Sequence, residues 1–340
     1  DRSSLKEKEI LLLKKRIEDD NFLTGKGKLS NQSFDQKYIE ELNEKIILKK
    51  KLKVVLDCGN GAGSVLGPTI FKKFSDELIE LFCKVDGNFP NHHPDPSDPK
   101  NLSDLIKAVK LHKADIGIAL DGDGDRLGVV DSDGEIIYPD RYLSLMSKDI
   151  LKKYKESKIV FDVKCSNQLK RTIERHKGIP IMTKTGHSFI KSEIKKNNAA
   201  LGGEMSGHIF YNEDWYGFDD GIFSGLKLLE ILSNQQKTTH EVFKEFQNMF
   251  NTPEIKISTD DRYKFEVINK LKNNFKPEGF SAITIDGLRL EGPRSWGLIR
   301  ASNTTPSLVL RFEAETIKEL KSIKELFQKE LFKINSKLKF

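Results

Sequence analysis

At 340 residues, 37% hydrophobic and 32% charged, the chain is long enough for two to four domains, each with a core of its own. The formal charge of +6 is spread over amphipathic helices in which lysines alternate with glutamates, so no nucleic-acid partner is expected, whereas an anionic small molecule fits. No run of about 18 apolar residues occurs, so no membrane span is expected. Cys58, Cys83 and Cys165, far apart and without a CxxC pair, suit a reduced, cytoplasmic protein that buries all three as small side chains.

Residues 1–47 read as a helix, the turn LTGKGK and a second helix over FDQKYIEELNEKI, with no strand for them to cover. The segment resembles the tail of a domain. From Lys51 the apolar strand KLKVVLD enters the glycine turn CGNGAG; a helix over FKKFSDELIELF, the loop KVDGNFPNHHPDPSDPKN and the helix LSDLIKAVKLHK follow. The strands ADIGIAL and LGVVDSDG then flank DGDGDR. A second alternation runs from helix SLMSKDILKKY through KIVFDVK, SNQLKRTIERHK, IPIMTKTGH and FIKSEIKKNN to the strand–turn–strand AALGGEMSGHIFYN. Its last helix, GIFSGLKLLEILSNQ, has Asp219 and Asp220 in place to cap it and complement its dipole. Strands alternating with helices predict two α/β units with mixed, mostly parallel sheets. From about Thr252, EIKIST, FEVINKLKNNF, SAITIDGLRLE, SWGLIRAS, SLVLRFEAE and a long helix predict a smaller α+β unit with an antiparallel sheet.

Asp121, Asp123 and Asp125 alternate with glycines between two apolar runs. Like charges so placed repel unless a cation holds them, and hard oxygen ligands suit Mg²⁺. An EF-hand is excluded, because Arg126 and Ser132 stand where its glycine and glutamate belong. Arg126 can hold an anion beside the metal.

Glu204, Ser206 and His208 lie at i, i+2 and i+4, so on a strand or extended turn they share a side. A carboxylate and a hydroxyl match vicinal sugar hydroxyls, and His208 can carry a proton or hold a phosphate. Arg300, Ser302, Asn303 and Thr304 crowd one turn after an apolar strand, a donor set for a phosphate dianion. Arg311, inside a strand, suits structure or site equally. Lys164, Lys184 and His187 sit past strand ends, where ligands of open α/β sheets collect; for Lys184 a solvated lysine serves as well. His92 and His93 belong to a rigid proline-bordered loop, and CGNGAG, lacking the P-loop Lys–Ser/Thr pair, makes a tight turn.

DGDGDR (Asp121 to Arg126), GEMSGH (Gly203 to His208) and RASNTTP (Arg300 to Pro306), in this order, resemble the metal, sugar and phosphate loops of the α-D-phosphohexomutases, in particular the bacterial phosphomannomutase/phosphoglucomutase branch. DGNFPNHHPDP, DVKC, KTGHS and YGFDDG add to the resemblance. It implies four domains, of which residues 1–35 are the C-terminal, helical remnant of the first; residues 36–135 form the second, 136–248 the third and 249–340 the fourth. It also implies reversible phosphoryl transfer between C1 and C6 of mannose or glucose phosphates, dependent on Mg²⁺ and passing through a hexose 1,6-bisphosphate and an enzyme phosphoserine. Carried over, Asp121, Asp123 and Asp125 ligate the metal, Arg126 assists at the phosphoserine, and Glu204 and Ser206 hold sugar hydroxyls. Lys164, Lys184, His187 and His208 line the cleft, with Lys164 and His208 joining Arg126 as catalytic groups. Arg300, Ser302, Asn303 and Thr304 grip the phosphate that does not react.

A monomer acting on sugar phosphates is expected. The family's phosphoserine motif, of the TASHNP kind, has no match here, so the chain is expected to be a fragment without its nucleophile, and inactive by itself. The alternatives are a phosphoglucosamine mutase and a fragment that only binds Mg²⁺ and sugar phosphate. A haloacid-dehalogenase phosphatase leaves GEMSGH and RASNTTP unexplained.

Overall fold

In the computed structural model, which describes Leu5 and residues 7–246 and 249–340, two helices lead: α1 (Glu7–Glu18) and α2 (Asp35–Lys45). Ile10, Leu11, Leu12, Leu13 and Ile17 of α1 are exposed. Helix α2 instead buries Leu42, and its Tyr38 hydroxyl donates to Asp220 at 3.0 Å.

The first α/β unit contains β1 (Leu52–Asp57), α3 (Gly67–Phe74), β2 (Ser75–Leu81), α4 (Ser103–His112), β3 (Ile116–Leu120), β4 (Leu127–Asp131) and β5 (Ile136–Ile137). Its sheet order is β2-β1-β3-β4-β5, parallel on the β2 side and antiparallel from β3 onward. The helix expected over FKKFSDELIELF stops at Phe74, and SDELIEL is the edge strand β2. An edge strand pairs on one side only, so the exposed Asp76, Glu77 and Glu80 obscure its pattern.

The second unit comprises α5 (Pro139–Lys153), β6 (Lys158–Asp162), α6 (Asn167–Arg175), β7 (Ile179–Thr183), α7 (His187–Asn197), β8 (Leu201–Gly203), β9 (Ile209–Tyr211), α8 (Gly221–Ser233) and α9 (Thr239–Phe243). Its order is β7-β6-β8-β9, with only the last pair antiparallel. One face of each sheet keeps a core of its own, around Val55, Leu105 and Val130 in the first unit and Val160, Ile194 and Phe210 in the second, while the other faces share one. One apolar cluster runs from Leu42 through Leu56, Leu127, Leu143, Phe161 and Leu226 to Phe243. Helix α8 carries it across, touching β4 on one side and β9 on the other. Apart from one stripe of Ser224, Lys227, Glu230 and Ser233 its residues are apolar, and all but Glu230 are buried.

Asp220 caps α8, accepting from the Phe223 N–H at 2.9 Å. Asp219 takes no part in the cap and pairs with His187 and Lys191 instead. Cys58 and Cys165 are buried and Cys83 partly so. Far apart in sequence, Cys58 and Cys83 bring their sulfurs within 3.0 Å where β1 and β2 end side by side.

The third unit comprises β10 (Phe250–Asn251), β11 (Ile255–Ser258), α10 (Tyr263–Asn274), β12 (Ser281–Ile283), β13 (Leu288–Glu291), β14 (Ser295–Ala301), β15 (Ser307–Ala314) and α11 (Ile317–Ile334). SAITIDGLRLE is thus a hairpin, β12 and β13, in an all-antiparallel sheet of order β10-β15-β14-β13-β12, with β11 also on β15. Leu290, Ile299, Leu310 and Phe312 face Val267, Leu271, Phe327 and Leu331 of the helices. Trp296 and Leu298 point the other way, onto Val163 of the second unit. Both faces are covered, which is why every residue of β15 is buried. Among the described residues no helix is long and apolar enough to cross a membrane.

Candidate active site

The aspartate loop joins β3 to β4. Asp121 is 1% exposed and shapes the loop from within: its carboxylate accepts from the N–H groups of Gly124 (3.1 Å) and Arg126 (3.0 Å) and from Arg126 Nε (2.5 Å). Asp121, Asp123 and Asp125 each offer an oxygen, and these atoms lie within 4.8 Å of one another. Three such hard donors, with Asp123 exposed, fit an octahedral divalent ion that keeps other positions for water or phosphate. Arg126 also donates to Asp95 at 2.9 Å. Ala62 N–H donates to Gly122 O at 2.9 Å, so the CGNGAG turn braces the loop from behind.

The loop Glu204–His208 joins β8 to β9. Glu204, Ser206 and His208 meet here across a turn rather than along a strand: Ser206 Oγ lies 2.8 Å from His208 Nδ1 and 3.4 Å from Glu204 Oε2. Gly207 makes the turn possible with φ +103°, and its N–H and C=O bond Glu204 and Leu127. That second bond, Leu127 N–H to Gly207 O at 3.1 Å, pairs this loop with the aspartate loop. His208 Nε2 then sits 3.3 Å from Asp125 Oδ1. Burial works to lower the His208 pKa, but hydrogen bonds to Asp125 and Glu204 push it up to about 9.

Past the ends of β6 and β7, further groups converge. Gly186 N–H donates to Glu204. His187 Nδ1 meets Asp219 at 3.0 Å, and its ring lies 5.6 Å from that of His208. Burial pushes Asp219 up, yet His187 and Lys191 bring it down to about 2. Lys164 donates to Glu254 at 2.8 Å. Burial disfavours its charge, but Asp162 and Glu254 more than offset this and raise its pKa.

Arg300 lies one residue before the end of β14 in the third unit. Its Nε donates to Asp286 Oδ2 at 2.9 Å, and the same oxygen accepts from Thr185 N–H at 3.1 Å. Among the described residues Arg300 Nη2 is buried without a partner. A buried, unpaired guanidinium donor is costly and suits an anion that completes it. Ser302 serves the turn itself: its Oγ accepts from Thr304 N–H, Thr305 N–H and Thr305 Oγ1 at 3.3, 3.1 and 2.8 Å. Buried Lys264 pins the turn from below through Ser302 O (2.8 Å) and Thr305 O (3.0 Å).

A continuous series of bonds therefore runs from the aspartate loop through Gly207 and Glu204 to Gly186, Thr185, Asp286 and Arg300. Asn303, Thr304 and Lys184 are exposed, and among the described residues no side-chain hydrogen bond joins them to that series. Lys184 lies over the Phe189 ring at 5.6 Å. His92 contacts buried Asp57 at 3.0 Å.

Sequence reasoning missed four carboxylates: Asp95, Asp162, Glu254 and Asp286. Asp162 is fully buried and accepts from Thr185 Oγ1 (3.0 Å) and Met205 N–H (3.3 Å), tying two loops to the end of β6. The available signal was an aspartate closing an apolar strand, KIVFD.

Comparison with known proteins shows the family. Residues 36–134, 138–250 and 254–330 match three family descriptions: phosphoglucomutase/phosphomannomutase alpha/beta/alpha domain II, alpha/beta/alpha domain III and C-terminal domain. The phosphomannomutase/phosphoglucomutase of Pseudomonas syringae is 49% identical over 331 residues, 97% of this chain and 71% of that one. The phosphoglucomutase of Neisseria gonorrhoeae is 47% identical over 316 residues, 92% of this chain and 68% of that one. The crystal structure of a phosphoglucomutase/phosphomannomutase family protein from Burkholderia thailandensis superposes with a TM-score of 0.93 at 44% identity, covering 97% of this chain and 71% of that one. The chain belongs to the phosphoglucomutase/phosphomannomutase family, the bacterial branch of the α-D-phosphohexomutases.

Proposed function

We propose that this chain supplies the metal, sugar and phosphate sites for reversible phosphoryl transfer between C1 and C6 of mannose or glucose phosphates, an isomerisation. The observation that carries this reading is the bonded series from three clustered carboxylates, past Glu204, to the unpaired guanidinium donor of Arg300. Asp121, Asp123 and Asp125 hold Mg²⁺, which when bound offsets charge on phosphoryl oxygens. Arg126, Lys164 and His208 face the reacting phosphoryl group. Lys164 keeps its proton there because Asp162 and Glu254 outweigh its burial. Glu204 and Ser206 receive a pair of sugar hydroxyls; the Glu204 carboxylate has lone pairs to spare beyond Gly186 and His208. Arg300, Ser302, Asn303 and Thr304 grip the second phosphate, and Lys184 and His187 complete the wall. Catalysis of this kind rests on positioning and charge stabilisation. A hexose 1,6-bisphosphate, with a phosphate for each end of the site, is the natural intermediate and activator.

Calorimetry with Mg²⁺ and glucose 1-phosphate or mannose 1-phosphate tests this. Binding that weakens about tenfold in Arg300→Met supports it; no binding overturns it. Phosphorus NMR of the same mixture with glucose 1,6-bisphosphate follows the chemistry. Glucose 6-phosphate marks a complete reaction, unchanged spectra mark a chain that binds without turnover, and release of inorganic phosphate alone points to a phosphatase. A preference for glucosamine 1-phosphate would move the substrate class.

A further inference from the structure

Lys164 belongs to the second unit, yet the third unit holds it at both ends. Its peptide lies just past β6, where backbone carbonyls have run out of ladder partners. Three consecutive carbonyls there accept from two arginines of the third sheet. Arg289 Nη1 reaches Val163 O at 2.5 Å and Cys165 O at 2.8 Å, and Arg311 Nη1 reaches Lys164 O at 2.6 Å. The Lys164 ammonium is taken by Glu254, beside β11 of the same sheet.

Both guanidinium groups are buried, Arg289 to 0% exposure and Arg311 to 4%. Burial of such charge is expensive unless each donor finds an acceptor. Arg289 spends its others on Glu291 Oε1 (2.8 Å) and Asn167 Oδ1 (2.6 Å) and lies 3.8 Å over the Trp296 ring. A planar fork of five donors can span neighbouring carbonyls, as an ammonium cannot.

The strand register links this grip to the phosphate loop. Leu298 pairs with Arg289 on one side and Arg311 on the other, so the three lie in one row across β13, β14 and β15. Arg300 is two residues further along β14, on the same face.

We infer that Arg289 and Arg311 are positioning residues that fix the Lys164 peptide to the third sheet, so that Lys164 and the phosphate-gripping Arg300 are set as one unit. The inference rests on the proposed role of Arg300 and Lys164 in sugar-phosphate binding. Their spacing is thereby matched to the two ends of one ligand.

Two readouts separate the positioning from the substrate assignment. The first is trace acetylation of lysine amines by acetic anhydride in the 340-residue chain, read by peptide mass spectrometry. Arg289→Lys and Arg311→Lys are expected to raise Lys164 acetylation at least fivefold while buried Lys264 stays unchanged. Asn167→Ala, which frees one Arg289 donor with little risk to folding, is expected to raise it about twofold. An unchanged Lys164 in Asn167→Ala, or a parallel rise at Lys164 and Lys264 in the arginine variants, overturns the inference. The second is a calorimetric cycle with glucose 1-phosphate. Arg311→Lys is expected to weaken binding about tenfold, but less than twofold once Lys164 is Met; equal losses in both backgrounds overturn the inference. If the unmodified chain binds no glucose 1-phosphate, the substrate assignment fails and acetylation alone decides the positioning.

Discussion

The two α/β units share one plan: β2-β1-β3-β4 in the first has the same order and directions as β7-β6-β8-β9 in the second. In each, the central strand ends on a fully buried aspartate, Asp57 or Asp162. In each, the antiparallel hairpin at one side carries the candidate chemistry, and the hairpins touch through the bridge between Arg126 and His208. The difference lies in what the loops are made of. The first hairpin places three carboxylates together; the second places one beside a hydroxyl and an imidazole. The buried aspartates diverge too. Asp57 bonds its own turn and His92, while Asp162 organises two site loops. A common scaffold thus tolerates opposite specialisations where the loops leave it.

The sharpest way to break this pairing is to remove one acid from each hairpin. Asp121→Ala is expected to weaken Mg²⁺ binding more than a hundredfold, since it also frees two N–H groups that shape the loop. Glu204→Ala should leave Mg²⁺ within twofold and weaken glucose 1-phosphate about tenfold; calorimetry reads both.

The hairpin glycines give the next effect. Gly207, at φ +103°, would place a Cβ 2.7 Å from Leu127 O, so Gly207→Ala should cost about 2 kcal/mol in urea unfolding. Gly124, at φ +82° with its nearest neighbour atom at 3.6 Å, carries only the backbone strain, about 1 kcal/mol.

Asp162→Asn is then expected to reduce glucose 1-phosphate affinity about tenfold, whereas Asp57→Asn lowers stability by about 1 kcal/mol and leaves affinity within twofold. Equal effects on affinity would erase the functional distinction between the two.

The smallest effect concerns Asp219, whose pKa of about 2 lies below that of an unfolded aspartate, about 3.9. The folded state therefore favours the ionised form. That stability is present above about pH 4 and is lost as pH falls towards 2. Asp219→Asn should cost about 1 kcal/mol at pH 7, limited by half-exposed His187, and the gap should close between pH 4 and 2 in urea unfolding.

What could be read from the chain follows the range of the interactions. The aspartate loop is legible because its carboxylates, glycines and arginine lie within six residues. Glu204, Ser206 and His208 were grouped by spacing, although a turn at Gly207 brings them together. Asp286 gave no such sign, because its partners Thr185 and Arg300 lie on different units. Glu254 likewise meets Lys164 only after two units are docked. The strand β2 was hidden by its charged outer edge, and the shared core by the fact that pattern reading treats each unit alone. Arg311 was the sign of docking that pattern reading picked out, and Arg289 in LRLE was an equal one it passed over: a charge amid SLVLRFEA has to answer to something outside its own sheet.

That sheet, covered on one face by its helices and on the other by the second unit, also sets how the protein can be recombined. A seam near residue 249, ahead of β10, is open as far as chain connectivity goes. A foreign segment grafted there must still bring donors for the carbonyls of Val163, Lys164 and Cys165. It must also bring a carboxylate for the Lys164 ammonium. Residues 249–340 are therefore exchangeable only with sequences that speak to the same peptide, and chimaeras are better cut so that DVKC and its two arginines travel together.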